Sequence, residues 1–207
     1  MGISWVSNMH GINTGILEIE NIQTYLRKSM PKSIEVAKGI MQRGVGDIVE
    51  AHVRQLIIDN YPNAKYPSSP RSIEDVEIRS GNNILKLDIK THNLDASFSR
   101  PNLISIKRLS DYLKTPENEL AYIFVSYKFD DDSIRIYSIN IAHIEHLKWD
   151  CLSIGNLGKG QLQVNNMHSL EFDYNQKRTV WIDIFKDEVI LYYNKLTEKI
   201  EKWKKSF

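Results

Sequence analysis

The stretch from Ser72 to Thr91 constrains the fold most. It reads Ser72-Ile73-Glu74-Asp75-Val76-Glu77-Ile78-Arg79-Ser80-Gly81-Asn82-Asn83-Ile84-Leu85-Lys86-Leu87-Asp88-Ile89-Lys90-Thr91. Gly and Asn tolerate positive φ, so Ser80-Gly81-Asn82-Asn83 is a dense turn signal. Before it, Val76 and Ile78 alternate with Asp75, Glu77 and Arg79. After it, Leu85, Leu87 and Ile89 alternate with Lys86, Asp88 and Lys90. Period-two alternation around such a turn predicts a β-hairpin with one buried face. Side chains two apart on a strand point the same way, so Asp88 and Lys90 share a face.

Two acids and a lysine on paired strands suit phosphodiester hydrolysis. Mg²⁺ lowers the barrier by offsetting charge and polarising water, and it takes hard oxygen ligands. Asp75 and Asp88 would supply carboxylates, and the Ile89 carbonyl a further oxygen. Lys90 would orient the attacking water and offset charge on the phosphate. A solvated mixed-charge strand face explains the same residues, and spacing alone leaves both readings open.

The surrounding residues extend the pattern. Asp88-Ile89-Lys90-Thr91-His92-Asn93 is followed by Ser97 and then by Pro101-Asn102-Leu103-Ile104-Ser105. This resembles the PD-(D/E)xK nuclease superfamily. Over residues 72–109 it is similar to the blunt-cutting type II restriction endonucleases typified by HincII, a group related in fold to EcoRV, with ThaI a further candidate relative. Gly46 to Glu50 resembles that group's Gly-x-x-x-Glu helix start. Ile154 to Gln163 resembles its second DNA-reading segment more weakly. Two positions depart from the pattern: Glu74 stands where the superfamily's Pro is expected, and Ser99 where that group carries a wedging glutamine.

The resemblance implies an α/β (α+β) restriction-endonuclease-like fold, a central mixed β-sheet flanked by helices. It implies Mg²⁺ as cofactor, double-stranded DNA as partner and a homodimer matching a palindromic site. It further implies double-strand cleavage leaving blunt ends with 5′-phosphates. Asp75, Asp88 and Lys90 would be catalytic, with Glu50 as a further acid; Asp75, Asp88 and the Ile89 carbonyl would hold the metal. Thr91 and Asn93 would lie near DNA. Ser97, Phe98, Ser99, Arg100 and Asn102 would face its bases and backbone, as would Asn156, Lys159 and Gln161. Met41 and Arg43 are candidate DNA contacts ahead of the Glu50 helix, and Met41 and Phe98 candidate wedges between base pairs. Several of these have plainer explanations. Glu50 fits a helix cap or an i,i+4 pair with Arg54, Met41 fits a core position, and Arg100, Lys107 and Arg108 fit surface charge. A structure-selective repair or recombination nuclease, or a non-catalytic DNA-binding protein, are the alternative functions.

Composition sets outer bounds. At 207 residues the expectation is one domain, with an N-terminal arm or helical region over about 1–45 and a C-terminal helix over about 180–206. The net charge of +1 excludes a uniformly basic nucleic-acid binder; locally segregated charge and an ordinary mixed-charge surface both fit it. One cysteine, Cys151, excludes an intrachain disulfide and fits a reducing compartment; the resemblance implies the cytoplasm of a prokaryotic cell. No apolar run is long enough for a membrane span, so no membrane partner is expected.

Along the chain, residues 1–15 read as an arm and Ile16–Ser29 as a helix. Ser33–Gly39 reads as a helical turn and Arg43–Gly46 as a flexible loop. Asp47 reads as the N-cap of a helix with an apolar stripe of Val49, Val53, Leu56 and Ile57, ended by Tyr61-Pro62-Asn63. Thr91–Arg100 reads as a polar loop and Pro101–Leu113 as a helix. Glu119–Phe129 and Ser133–Ile141 read as a hairpin, Leu162–Phe172 as a strand, and Trp181–Trp203 as a long helix.

Overall fold

Alternating apolar residues decide the centre of the molecule. The computed structural model describes residues 14–69, 72–115, 117–130, 132–155 and 160–206; most of the expected N-terminal arm, and Asn156 and Lys159, lie outside them. The hairpin forms as expected: β3 (Val76–Ser80) pairs antiparallel with β4 (Asn83–Asn93), with Val76 opposite Leu87 and Ser80 opposite Asn83. Gly81 takes φ 59°, the left-handed value the turn requires.

β4 is an interior strand. On its other side it pairs in parallel with β6 (Asn118–Asp130), which pairs antiparallel with β7 (Ser133–His143). Two short strands, β1 (Ser33–Glu35) and β2 (Ala64–Lys65), complete a six-stranded mixed sheet in the order β1-β7-β6-β4-β3-β2. A second sheet of three strands has β9 (Gln161–Val164) between β5 (Asn102–Ser105) and β8 (Leu152–Gly155).

The two faces of the large sheet bury different partners. Leu85, Leu87 and Ile89 of β4 join Ala121, Ile123 and Val125 of β6 beneath α1 (Thr14–Ser29) and α2 (Gln42–Asn60). Val49, Val53 and Ile57 supply the stripe of α2. On the opposite face, Leu120, Tyr122 and Phe124 of β6 pack with the small sheet, α3 (Ile106–Leu113) and α4 (Arg178–Lys204), where Trp181 is fully buried. Each large apolar side chain removed from water contributes about 1.5–3 kcal/mol. The expectation of one buried hairpin face is therefore corrected. The small sheet and α3 also cover the face that carries Asp88, which is only 8% exposed.

Several local expectations fail for identifiable reasons. Ser33–Glu35 is a strand, because Ile34 pairs with Ile134 at the sheet edge. Arg43–Gly46 is helix, and the N-cap is Met41, not Asp47; no capping box forms. Gly46 belongs in the helix because α2 crosses β4 there: a Cβ at Gly46 would sit 2.8 Å from Thr91 Oγ1. β4 continues through Asn93, so Thr91 and Asn93 are strand residues. Asn102–Ser105 is strand because it pairs with β9, and the helix starts only at Ile106, with Ser105 capping the Arg108 N–H. The expected strand over Leu162–Phe172 stops at Val164.

Candidate active site

The site is built where β3 begins. The Asp75 N–H donates to the Leu87 carbonyl at 2.8 Å, continuing the hairpin ladder. The next rung is made by a side chain: the Ile89 N–H donates to Asp75 Oδ2 at 2.7 Å. This bond holds the first acid against the strand that carries the second.

Asp88 lies on the face of β4 opposite Ile89, beside Tyr122 of β6 in register. Lys90 follows on the same face, and its Nζ forms an ion pair with Asp88 Oδ2 at 2.7 Å. Burial pushes the Asp88 carboxyl up to about 7. Lys90 pulls it down, and the like charge of Asp75 adds to the rise. Asp75 also acts on Glu50, whose carboxyl is raised first by burial and then by Asp75, with Arg54 opposing. Asp75, just before β3, thus acts on two other carboxylates, Glu50 of α2 and Asp88 of β4.

Arg54 stands among them. Its Nη2 donates to Glu50 Oε1 and to Asp75 Oδ1, the latter at 3.2 Å. The i,i+4 pair read from the sequence exists, and it also reaches the first acid of the hairpin. Glu74 is buried at its own salt bridge, with Lys86 Nζ 3.0 Å from Oε2.

A cleft of about 200 Å³ opens beside Asp88 and Lys90. Ser105, Arg108 and Gln161 line its other side. β5, α3 and β9 bring these residues to the acids. All three stood in segments singled out in the sequence, Ser105 within the motif at residues 101–105, but none as a neighbour of Asp88. Their approach to it depends on the pairing of β5 with β9, distant in sequence.

The other candidate residues divide by place. Ser97, Phe98, Arg100 and Asn102 are exposed and Ser99 half-buried, on the segment leading from β4 into β5. Arg100 bonds Ser153 Oγ at 2.9 Å, and Asn102 Oδ1 accepts from Gln163 Nε2. Lys107 is paired with Asp111 at 2.6 Å. Thr91 turns toward α2 and Gly46, away from the cleft. Asn93 Oδ1 accepts from the Asp95 N–H at 3.0 Å. Met41 is 81% exposed, so the core reading of this residue fails. The Arg43 side chain, like Asn156 and Lys159, lies outside the described residues.

The donor set suits a hard cation. Among the described residues, no three His, Cys, Asp or Glu side chains gather closely enough to hold an ion by themselves. Arg54 and Lys90 instead neutralise the acids. Mg²⁺ keeps several waters and needs only one or two carboxylates, and Asp75, Asp88 and the Ile89 carbonyl are oxygen donors at one end of the hairpin. A buried carboxylate raised to about 7 is also a group that a bound cation would stabilise in its charged form.

A central mixed sheet flanked by helices, with this hairpin inside it, is a restriction-endonuclease-like fold. Among solved structures, the NlaIV restriction endonuclease matches with a TM-score of 0.53 and 12% sequence identity, over 76% of this chain and 71% of that one. At that identity the likeness establishes the fold alone. No protein-family profile and no curated protein sequence matches the chain. Among the described residues, no helix is long and apolar enough to cross a membrane.

Proposed function

We propose that this protein is a type II restriction endonuclease. It would cut both strands of a palindromic DNA site in a Mg²⁺-dependent, sequence-specific reaction. The observation that carries the reading is the hairpin itself. Asp75 is tied to the Ile89 N–H, and Asp88 is paired with Lys90 at the edge of a polar cleft, within a restriction-endonuclease-like fold.

Asp75, Asp88 and the Ile89 carbonyl would hold Mg²⁺, which supplies charge neutralisation and polarises water. The chain's own residues do the rest. The Ile89 N–H fixes the rotamer of Asp75. Lys90 donates to the attacking water and offsets negative charge on the scissile phosphate. Ser105, Arg108 and Gln161 line the cleft with Asp88 and Lys90 and would meet the DNA backbone. Glu50 is a further acid whose charge Arg54 balances. The exposed segment from Ser97 to Asn102 would help select the sequence.

A homodimer follows from the proposed substrate, since two-fold DNA symmetry is matched by two-fold protein symmetry. Blunt ends with 5′-phosphates would follow if the resemblance of residues 72–109 to the HincII group extends to its products. Purified protein with Mg²⁺ should convert plasmid DNA to discrete fragments, and sequencing the fragment ends gives site and cut position. Smears or structure-dependent nicks would point instead to a repair nuclease. Binding without cleavage at any Mg²⁺ concentration would sink the nuclease reading.

A further inference from the structure

Arg54 lies where a divalent cation would have to act. Both oxygens of Asp75 are engaged: Oδ2 by the Ile89 N–H at 2.7 Å, and Oδ1 by Arg54 Nη2 at 3.2 Å. The same Nη2 also bonds Glu50 Oε1. One nitrogen therefore serves two acids, whereas a guanidinium normally grips a carboxylate through two parallel bonds. Arg54 Nε is buried with no hydrogen-bond partner among the described residues. The Arg54 side chain is still 27% exposed, so it has a path outward.

This is an incomplete grip by a residue well suited to phosphate. A planar guanidinium matches phosphate oxygens bidentately and would satisfy there the donors left unused at Asp75. While Arg54 stays, its positive charge repels a dication and occupies Asp75 Oδ1. We propose that Arg54 is a resident counter-ion that keeps Asp75 closed to a divalent cation in the DNA-free protein, and that a DNA phosphate is the anion that draws it off. DNA binding and cation uptake would then be coupled through one side chain. The inference rests on the nuclease reading and deepens it.

The test uses the full chain without DNA. Mn²⁺ binding is followed by loss of the free-ion electron paramagnetic resonance signal, for wild type, Arg54→Met and Arg54→Gln. Both variants should bind Mn²⁺ roughly tenfold more tightly than wild type, because a competing positive charge is gone. Damage to the fold would weaken binding, the opposite sign, and thermal melts identify it. In parallel, anisotropy of a labelled duplex in EDTA measures salt dependence. The variants should bind more weakly, with a log–log salt slope shallower by about one, as expected for one lost phosphate contact. Unchanged or weaker Mn²⁺ binding in both variants overturns the proposal, as does an unchanged salt slope. If wild type cleaves plasmid while these readouts stay flat, only the role of Arg54 fails. If no form binds Mn²⁺ and none cleaves, the nuclease reading fails with it.

Discussion

The backbone N–H of Ile89 donates to Asp75 Oδ2 at 2.7 Å, so the first acid of the hairpin is fixed by the residue between Asp88 and Lys90. Position and charge at Asp75 are therefore separable. Asp75→Asn keeps an oxygen for the Ile89 N–H but sets an amide donor against Arg54, so it should lose about 1 kcal/mol, less than the alanine variant. Asp75→Ala leaves that N–H without its partner and Arg54 with Glu50 alone, and should lose about 1–3 kcal/mol. If Asp75 holds the cation as proposed, both should lower the single-turnover cleavage rate at least ~100-fold, since both remove its charge. A chemical melt and a rate measurement on the two variants check this. Full activity in Asp75→Asn would remove the acid from the mechanism.

Asp88 leads to a prediction on Mg²⁺ demand. Burial raises its carboxyl to about 7, with Lys90 opposing. On the proposed mechanism, Asp88 below that pH would carry a proton that a bound cation must displace, and above it would already be charged. Apparent Mg²⁺ affinity should therefore rise from pH 6 to pH 8 and level off beyond. Single-turnover cleavage titrated with Mg²⁺ at several pH values reads this directly. Asp88→Asn should bind DNA without cutting it and show no such trend in binding.

How far the sequence foretold this site depends on the range of the interactions involved. The hairpin from Val76 to Lys90 was legible because its turn residues and alternation are local, whereas the extension of β4 through Asn93 was not. The pair of Asp88 and Lys90 was legible for the same reason. The helix carrying Val49, Val53 and Ile57 was readable from its period, but its start was not. Gly44 and Gly46 argue for a loop, and only the close crossing of α2 over Thr91 explains a glycine inside a helix. Asn102–Ser105 becomes a strand only by pairing with Gln161–Gln163. Arg54 reads as a partner of Glu50, and its second contact, to Asp75, exists only in the folded chain.

That crossing at Gly46 makes its own prediction. Gly46→Ala gains helix propensity, yet its Cβ would meet Thr91 Oγ1 at 2.8 Å. Thr is stiff at χ1, so α2 must shift. A net loss of about 1–2 kcal/mol is expected. Since α2 also carries Glu50 and Arg54, cleavage should fall as well. Adding Thr91→Ala opens the space, and the double variant should recover most of both losses. A double-mutant cycle on melting and rate decides it; strict additivity would rule out the proposed clash.

The last prediction concerns His143, on the far end of β7 and outside the acid site. His143 is buried, meets His146 edge-on at 5.4 Å between ring centres, and has Nε2 3.5 Å from Glu119 Oε2. Burial pushes its imidazole down to about 3, and the nearby His146 and Arg178 push the same way. In the unfolded chain a histidine takes its proton near pH 6.5. Between those values the unfolded state binds more protons than the folded one, so stability is full above pH 6.5 and falls as pH drops toward 3. At pH 4.5 the loss from this residue is about 2–3 kcal/mol. Glu119 and Glu145, both raised by burial, titrate with the opposite sign and blunt the overall acid transition. The comparison with His143→Gln isolates the histidine. The variant should be less stable at pH 8, because it disturbs a buried site, but lose less on going to pH 4.5. Urea melts of both proteins across that range measure the slopes, and parallel slopes would show that His143 is protonated in the folded protein.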